Sequence, residues 1–359
     1  MSARDRVLAA LRASRRLADP NDRLGRAARA RLPASSGLSP AGVTLALEAH
    51  LETEASDAEL SALLDTPRYP RCHLVLAANV CTAPLRAIAC ALAAAPRVFV
   101  RPSRRDPVVA ELVVQALAED ADFDGIAAVV ERAEPEPGDV VQVYGHDETI
   151  AHYRRDLPEG VILRGHGTGL GVAVIEADAD LGPAAVAFAQ DLVPFDGRGC
   201  MSPRLVLVAG ERERARAFTA AADEALGALG ERIPRGPLTA DDATALRRYA
   251  DTMAAIGDVF EAPHHLLGLD LDPDQSGDTL PLGPATRCAL VASVQPANLP
   301  AAVVALGPHV TAIGTPTDGP LASAIAALAA HARRSRLGRM QRPALDGPVD
   351  LRHWTRAAE

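Results

Sequence analysis

Short, continuous apolar runs alternate with Ala-rich or amphipathic stretches along the chain from residue 72 onward. Apolar runs of this kind are typical of strands that are buried on both faces, and the stretches between them are typical of helices. In the first half, the pattern predicts strands at residues 72–77, 97–100, 125–130, 140–144 and 161–164, and helices at 83–95, 107–118 and 148–155. Strands that alternate with helices in this way favour a parallel α/β sheet.

The alternation resumes after a glycine-rich stretch at residues 165–171 (GHGTGLG). Strands are expected at 172–175, 205–208, 288–294 and 310–313, and helices at 183–192, 211–229, 240–255, 299–306 and 320–333. The glycines do not fit the dinucleotide fingerprint G-x-G-x-x-G, and they lie between two strands instead of opening a helix. The economical interpretation is two α/β lobes joined near this stretch, with helices and loops over residues 1–70.

Composition narrows the class of protein. All 37 basic residues among the 359 are arginine, which excludes a Walker A loop and a Schiff-base or pyridoxal-phosphate lysine. GC-rich codons account for this bias. The net charge of −9 argues against a nucleic-acid surface, and no apolar run approaches the ~20 residues of a membrane span.

Cysteine and aspartate usage predicts no metal site. The five cysteines form no CxxC pair, which indicates reduced thiols in a cytoplasmic protein. The aspartates at 270, 272 and 274 lack the glycine of a calcium loop and are expected in a solvated loop.

Cys200 is the candidate nucleophile. It stands in the segment Phe195–Pro203 (FDGRGCMSP), between a predicted helix and a predicted strand. The neighbouring glycines allow the backbone to approach a substrate carbonyl closely, and Arg198 and Arg204 are expected to favour the thiolate.

The order of the motifs resembles that of the aldehyde dehydrogenase superfamily, and best matches its fatty acyl-CoA reductase branch of the bacterial bioluminescence type. The segment VAVIEADADL at 172–181, a helix and then FDGRGCMSP have the spacing that leads to the family's nucleophilic cysteine. Upstream, LVLAANV (74–80) resembles the branch's Gly-Asn-Val motif, VFVRPSRRDP (98–107) the Lys-Pro-Ser cofactor motif, and VVQVYGHDETI (140–150) the nucleotide-turn region. RLGRMQRPALDGP (336–348) resembles the family's closing segment.

The resemblance implies two Rossmann-like lobes with the active site in the crevice between them. Residues 1–165 are then expected to hold the N-terminal helices and the nicotinamide-binding lobe, 166–335 the catalytic lobe, and 336–359 a C-terminal tail that packs or contacts another subunit. The implied reaction is attack of the Cys200 thiolate on acyl-CoA or another acyl thioester, followed by hydride reduction of the acyl-enzyme to an aldehyde. Asn79, matched to the family's oxyanion asparagine, and the Cys200 backbone N–H are the implied oxyanion donors.

Two glutamates of the family are absent. The position of the water-activating glutamate falls on His166, and that of a second, cofactor-binding glutamate falls near Leu280. Loss of the water-activating base suits a thioester reductase better than an aldehyde oxidase, because water attack would waste the acyl-enzyme. His166 is expected to act as general acid–base for the departing thiol or the developing alkoxide.

The cofactor motif departs from the family as well. Arg101 stands in place of the usual lysine, Ser103 follows it, and Arg104 stands where NAD-preferring members often carry glutamate. Because arginine binds a phosphate that a carboxylate would repel, the motif predicts NADPH as the cofactor. Gly145, between a predicted strand and a predicted helix, is expected to let the backbone approach the cofactor.

Two other functions remain open at this point. One is a different thiol-dependent reductase of the superfamily, acting on a semialdehyde or an acyl phosphate. The other is a non-catalytic scaffold, because the chain is shorter than typical members and lacks both glutamates. Family members commonly self-associate, so a homo-oligomer is expected.

Overall fold

A computed structural model describes residues 1–270 and 280–352 and divides the chain into two compact units. The first unit consists of residues 1–168 and of a segment that returns to it at Ala344, here named the returning segment (residues 344–352). The second unit consists of residues 169–343. The aspartates at 272 and 274 and the end of the tail, residues 353–359, lie outside the described residues.

The first unit is built on a five-stranded parallel sheet with the strand order β3-β2-β1-β4-β5. Its strands are β1 (Cys72–Val75), β2 (Val98–Arg101), β3 (Ala127–Val129), β4 (Val140–Tyr144) and β5 (Ile162–His166). The crossover helices are α5 (Ala83–Ala94), α6 (Val108–Ala118) and α7 (Asp147–Asp156). In such an open sheet, ligands bind at the carboxyl ends of the strands where the strand order reverses, and here it reverses between β1 and β4.

Four helices precede this sheet: α1 (Ala3–Ala18), α2 (Arg23–Ser36), α3 (Pro40–Leu45), which continues into a π-helical turn at Ala46–His50, and α4 (Asp57–Leu64). A reciprocal capping box between Ser2 and Asp5 begins α1. The helix α5 contacts both α1 and the strands β1 and β2, and its residues from Pro84 to Ala94 are all buried. Apart from Arg86, its apolar character on every side follows from this position between two layers.

The second unit holds a seven-stranded sheet with the order β12-β11-β6-β7-β10-β9-β8, in which only β8 runs antiparallel to its neighbour. The strands are β6 (Leu170–Ile175), β7 (Pro203–Ala209), β8 (Gly257–Ala262), β9 (His265–Asp270), β10 (Cys288–Val294), β11 (Val310–Thr315) and β12 (Arg333–Arg336). The helices are α8 (Leu181–Leu192), α9 (Arg212–Arg232), α10 (Ala240–Ile256), α11 (Leu299–Ala305) and α12 (Pro320–Leu328). Apolar side chains of the central strands, such as Val172, Leu205 and Leu290, form the main core of this unit.

Two parts of the second sheet differ from the sequence prediction. The helix predicted over 320–333 ends at Leu328, and the Arg-rich segment that follows forms the edge strand β12, because pairing with β11 outweighs helix propensity. The hairpin of β8 and β9 was not predicted, since β8 is only half-buried and lacks a clear alternation. The prediction that Asp270 lies in a solvated loop is wrong, because this residue ends β9 and is buried. Within residues 1–270 and 280–352, no helix is long and apolar enough to span a membrane.

Candidate active site

The site residues that were predicted in the first unit lie at one edge of its sheet. Because the carboxyl ends of parallel strands lie at the same edge, side chains that follow these strands are brought together where an open sheet binds its ligand. They are Asn79 in the bend after β1, Arg101, Ser103 and Arg104 at the end of β2, Gly145 after β4, and His166 at the end of β5.

The arginines at the end of β2 have different surroundings. Arg101 donates a hydrogen bond to the hydroxyl of Tyr153. Arg105 donates to the carbonyl of Ala78 (2.9 Å) and so braces the bend that carries Asn79. Arg104 is exposed and has no hydrogen-bond or ion-pair partner among the residues that the structure describes. Arg104 is therefore the guanidinium of this group with the most freedom to bind a ligand.

Gly145 lies between β4 and α7, and its N–H donates to the carbonyl of His166 (3.1 Å). A methyl group added at Gly145 would meet the side chain of Thr149 at an ordinary 3.6 Å, so the packing of the chain does not by itself require glycine here. The first turn of α7 carries two carboxylates, Asp147 and Glu148. These charges make the helix N-terminus a poor phosphate site, so the expected role of Gly145 is limited to close backbone approach.

His166 is buried at the end of β5, opposite Tyr144 in the sheet register. The two rings are stacked with their centroids 4.3 Å apart. The hydroxyl of Tyr144 donates to Gln142 (3.2 Å), and burial raises the pKa of this tyrosine well above its ordinary value. The imidazole of His166 is thus held flat against a neutral phenol ring.

Cys200 belongs to the second unit and follows a turn with unusual backbone conformation. Phe195, Asp196 and Gly197 have φ values of 55°, 55° and 70°, in the left-handed region that residues other than glycine rarely adopt. The carboxylate of Asp196 is paired with Arg287 at 2.7 Å, and both side chains are 1% exposed. Arg287 also donates its backbone N–H to the Asp196 carbonyl (2.8 Å), so this buried pair holds the turn in place.

The backbone of Cys200 is fixed from two other strands of the second unit. Thr311 of β11 donates its hydroxyl to the Cys200 carbonyl (2.6 Å). A Cβ atom added at Gly169 would lie 3.1 Å from Cβ of Cys200, and one added at Gly171 would lie 2.4 Å from the Met201 carbonyl oxygen. Glycine at the start of β6 therefore makes room for the cysteine loop, a role that was not predicted from the sequence.

A third support for this loop comes from Asp191 at the end of α8. Its carboxylate accepts the backbone N–H groups of Gly338 (2.5 Å) and Met340 (2.8 Å). Gln341 donates to the Asp191 carbonyl (3.0 Å) and to the hydroxyl of Ser202 (3.4 Å), two residues after Cys200. Burial raises the pKa of Asp191 to about 7, although these backbone hydrogen bonds act in the opposite direction.

Accessibility distinguishes Cys200 from the other thiols. The five cysteines are free, and Cys200 is partly exposed whereas the other four are buried. Burial raises the pKa of Cys72 to about 12 and raises those of Cys81 and Cys288 still further. Because the thiolate is the reactive form, these three are poor nucleophiles. Among the described residues, no group of three or more His, Cys, Asp or Glu side chains is placed to hold a metal ion.

The fold is that of the aldehyde dehydrogenases. A NAD-dependent benzaldehyde dehydrogenase from Corynebacterium glutamicum superposes with a TM-score of 0.73 at 17% identity, covering 94% of this chain and 80% of that one. A Mycobacterium tuberculosis aldehyde dehydrogenase complexed with NAD+ gives 0.69 at 16% identity, covering 94% and 78%. Methylmalonate-semialdehyde dehydrogenase from Oceanimonas doudoroffii gives 0.70 at 14%, covering 99% and 85%. The sequence-based prediction of an aldehyde dehydrogenase-like α/β fold is confirmed.

The family model for acyl-CoA reductase (LuxC) matches residues 65–262, more than half of the chain. The chain therefore belongs to the acyl-CoA reductase (LuxC) family, as the motifs predicted, and is an oxidoreductase of the class that acts on acyl and aldehyde groups. No curated protein matches the sequence.

Proposed function

We propose that the protein reduces an acyl-CoA to the corresponding aldehyde with NADPH, through an acyl-enzyme on Cys200. The observation that carries this proposal is the loop at 195–203. Its cysteine is the accessible thiol of the chain and is held by a buried ion pair, by Thr311 and by the Gln341 segment. A loop supported from three sides is what a nucleophile needs, because displacement by about 1 Å is enough to slow a reaction about 100-fold.

In the proposed reaction, the Cys200 thiolate attacks the thioester carbonyl and forms a new C–S bond. The amide of Asn79 and the Cys200 backbone N–H stabilise the oxyanion. The bond from the carbonyl carbon to the CoA sulfur then breaks, and His166 donates a proton to the departing thiol. After reduction, the C–S bond to Cys200 breaks, the thiolate is restored, and the aldehyde leaves.

Features of the first unit fit a nicotinamide cofactor. The sheet is open, its strand order reverses between β1 and β4, and an exposed Arg104 follows β2, where dinucleotide-binding sheets read the 2′ position of the adenosine ribose. Ser103, Arg104 and the backbone at Gly145 would hold the cofactor, with Arg101 positioned by Tyr153. When bound, the nicotinamide supplies the hydride for the reduction.

Mass spectrometry of the intact protein tests the acyl-enzyme. Incubation with dodecanoyl-CoA in the absence of cofactor is expected to add one acyl group to the wild type and none to Cys200→Ala. Cys90→Ala serves as the matched control, because Cys90 is a buried thiol, and it is expected to acylate like the wild type. Absence of an adduct on the wild type would favour the scaffold. An adduct from an acyl phosphate but not from acyl-CoA would favour the acyl-phosphate reductase.

Steady-state kinetics test the choice of cofactor. Arg104→Glu is expected to raise KM for NADPH by at least tenfold while changing KM for NADH much less, because a carboxylate repels the 2′-phosphate. Arg132→Glu, a change of the same charge after β3, is the control. NADH used as well as NADPH by the wild type would refute the predicted preference.

A further inference from the structure

The returning segment is anchored along its length in the first unit. Arg86, which is buried in α5, donates to the carbonyls of Ala344 (2.8 Å) and Gly347 (3.0 Å). Glu59 accepts the backbone N–H of Leu345 (2.8 Å), and the Leu345 side chain is buried in the core of the N-terminal helices. These contacts fix the position of the residues that follow, up to Arg352.

The end of this segment binds the backbone directly after His166. Arg352 pairs with Asp350 in a two-pronged arrangement, from Nε to Oδ1 (2.8 Å) and from Nη2 to Oδ2 (2.6 Å). The same guanidinium donates to the carbonyls of Gly167 (3.2 Å) and Thr168 (2.9 Å). A bidentate guanidinium is a rigid connector, so the backbone next to His166 is tied to the Asp350 carboxylate.

The titratable and charged groups that the structure describes around His166 come from three elements. Tyr144 of β4 stacks on the imidazole, and Asp147 of α7 accepts the backbone N–H of Thr168 (3.2 Å). From the returning segment come Asp350, which is 6% exposed, and Arg352. Burial alone would raise the pKa of Asp350, but the hydrogen bonds from Arg352 and the nearby His166 hold that pKa below its ordinary value. Asp350 is therefore an anion near neutral pH, electrostatically coupled to the imidazole.

We propose that Asp350 and Arg352 are positioning residues for His166. Arg352 fixes the backbone turn that follows the histidine, and the Asp350 carboxylate favours the protonated imidazole that donates the proton to the departing thiol. The proposal rests on the acid–base role proposed for His166. It gives the returning segment a part in the chemistry, although Arg352 follows Thr168 by 184 positions along the chain.

The test compares the pH dependence of acylation in variants of opposite charge. CoA release in a single turnover with dodecanoyl-CoA, without cofactor, is followed with a thiol reagent from about pH 5.5 to about pH 8.5. The limb of the pH–rate profile that is lost in His166→Gln is assigned to His166. Asp350→Asn is expected to slow acylation about tenfold and to move this limb to lower pH by about half a unit to one unit. Arg352→Gln removes the cation and is expected to move the same limb to higher pH.

Opposite shifts separate an electrostatic role from a merely structural one, which would move both variants alike or neither. Asp346→Asn, the same change four residues earlier, is the control and is expected to leave the limb in place. Asp350→Asn is expected to slow His166→Gln no further, since the aspartate acts through the histidine. Shifts in the same direction, no shift, or an equal loss in the His166→Gln background would overturn the proposal.

A readout that does not depend on activity separates this proposal from the proposed function. The NMR signal of the His166 imidazole is identified as the one missing from the spectrum of His166→Gln. Its titration with pH is then followed in Asp350→Asn and Arg352→Gln. Opposite shifts there support the positioning role even if the wild type forms no Cys200 adduct, which would refute only the proposed reaction. An unchanged titration together with an intact Cys200 adduct would refute only the positioning role.

Discussion

Gly171→Ala is the sharpest test of how the cysteine loop is supported. The added Cβ would lie 2.4 Å from the carbonyl oxygen of Met201 and 2.5 Å from that of Ser202. Ordinary contact is reached at about 3.4 Å, so the backbone beside Cys200 must move by about 1 Å. No side-chain rotation relieves the clash, because both obstructing atoms belong to the backbone.

Two effects are expected from this shift. Overpacking of backbone against backbone is expected to lower the free energy of unfolding by about 1–3 kcal/mol. Displacement of the nucleophile by about 1 Å is expected to slow acylation by about 100-fold, even where the variant is fully folded. Urea titration measures the first effect, and single-turnover release of CoA measures the second.

Gly227→Ala is the matched control. Gly227 lies within α9, where an added methyl group meets nothing within 4 Å. The same substitution is therefore expected to stabilise the protein by about 0.5–1 kcal/mol and to leave acylation unchanged. If Gly171→Ala behaves like Gly227→Ala in both assays, the argument that glycine at 171 makes room for the cysteine loop is wrong.

Two further predictions concern buried charges of the second unit. Arg287→Gln removes the nearer of the two guanidinium groups that pair with the buried Asp196 carboxylate, the other being that of Arg198 at 3.9 Å. The change is expected to cost about 3–5 kcal/mol in urea unfolding, and the double variant with Asp196→Asn should recover part of the loss; equal stability of the two variants would contradict this. Because the pKa of Asp191 is raised to about 7, the folded chain holds this proton more tightly than the unfolded chain does. The contribution of Asp191 to the free energy of unfolding is therefore fully present below about pH 4. It falls by up to about 4 kcal/mol as the pH rises to about 7. Urea titrations at several pH values measure how the free energy of unfolding depends on pH, and Asp191→Asn should weaken this dependence. If the dependence persists in the variant, another group causes it.

The sequence predicts the first sheet well because its central strands are buried on both faces. Runs such as CHLV and VVQVY are then continuous, and their carboxyl ends mark the positions of Asn79 and Gly145. It predicts the edges of the second sheet poorly. The strand β12 (Arg333–Arg336) carries three arginines in four residues, and its conformation follows from pairing with β11, which no local pattern encodes.

The supports of the site were missed for a related reason. The contacts of Asp196 with Arg287 and of Arg352 with Thr168 join residues far apart in the sequence, so neither partner stands out when it is read in its own segment. The glycines of GHGTGLG stand out in the sequence, but only as a segment that does not fit the dinucleotide fingerprint. Gly169 and Gly171, the last two of them, reflect how closely the start of β6 approaches the cysteine loop, which only the packed structure reveals.

The discontinuity of the first unit has a consequence for biosynthesis. Among the residues that the structure describes, the second unit is drawn from one stretch of chain between 169 and 343. The first unit, in contrast, needs the returning segment, which places Leu345 in its core and supplies carbonyl partners for Arg86. Domains generally fold as units while the ribosome is still adding residues. The second unit is thus free to fold before the first is finished, and the earliest-made part of the chain waits for residues 344–352 to emerge. A chain that ended shortly before Ala344 would contain the whole cysteine loop, but the backbone that follows its His166 would lack the hydrogen bonds from Arg352.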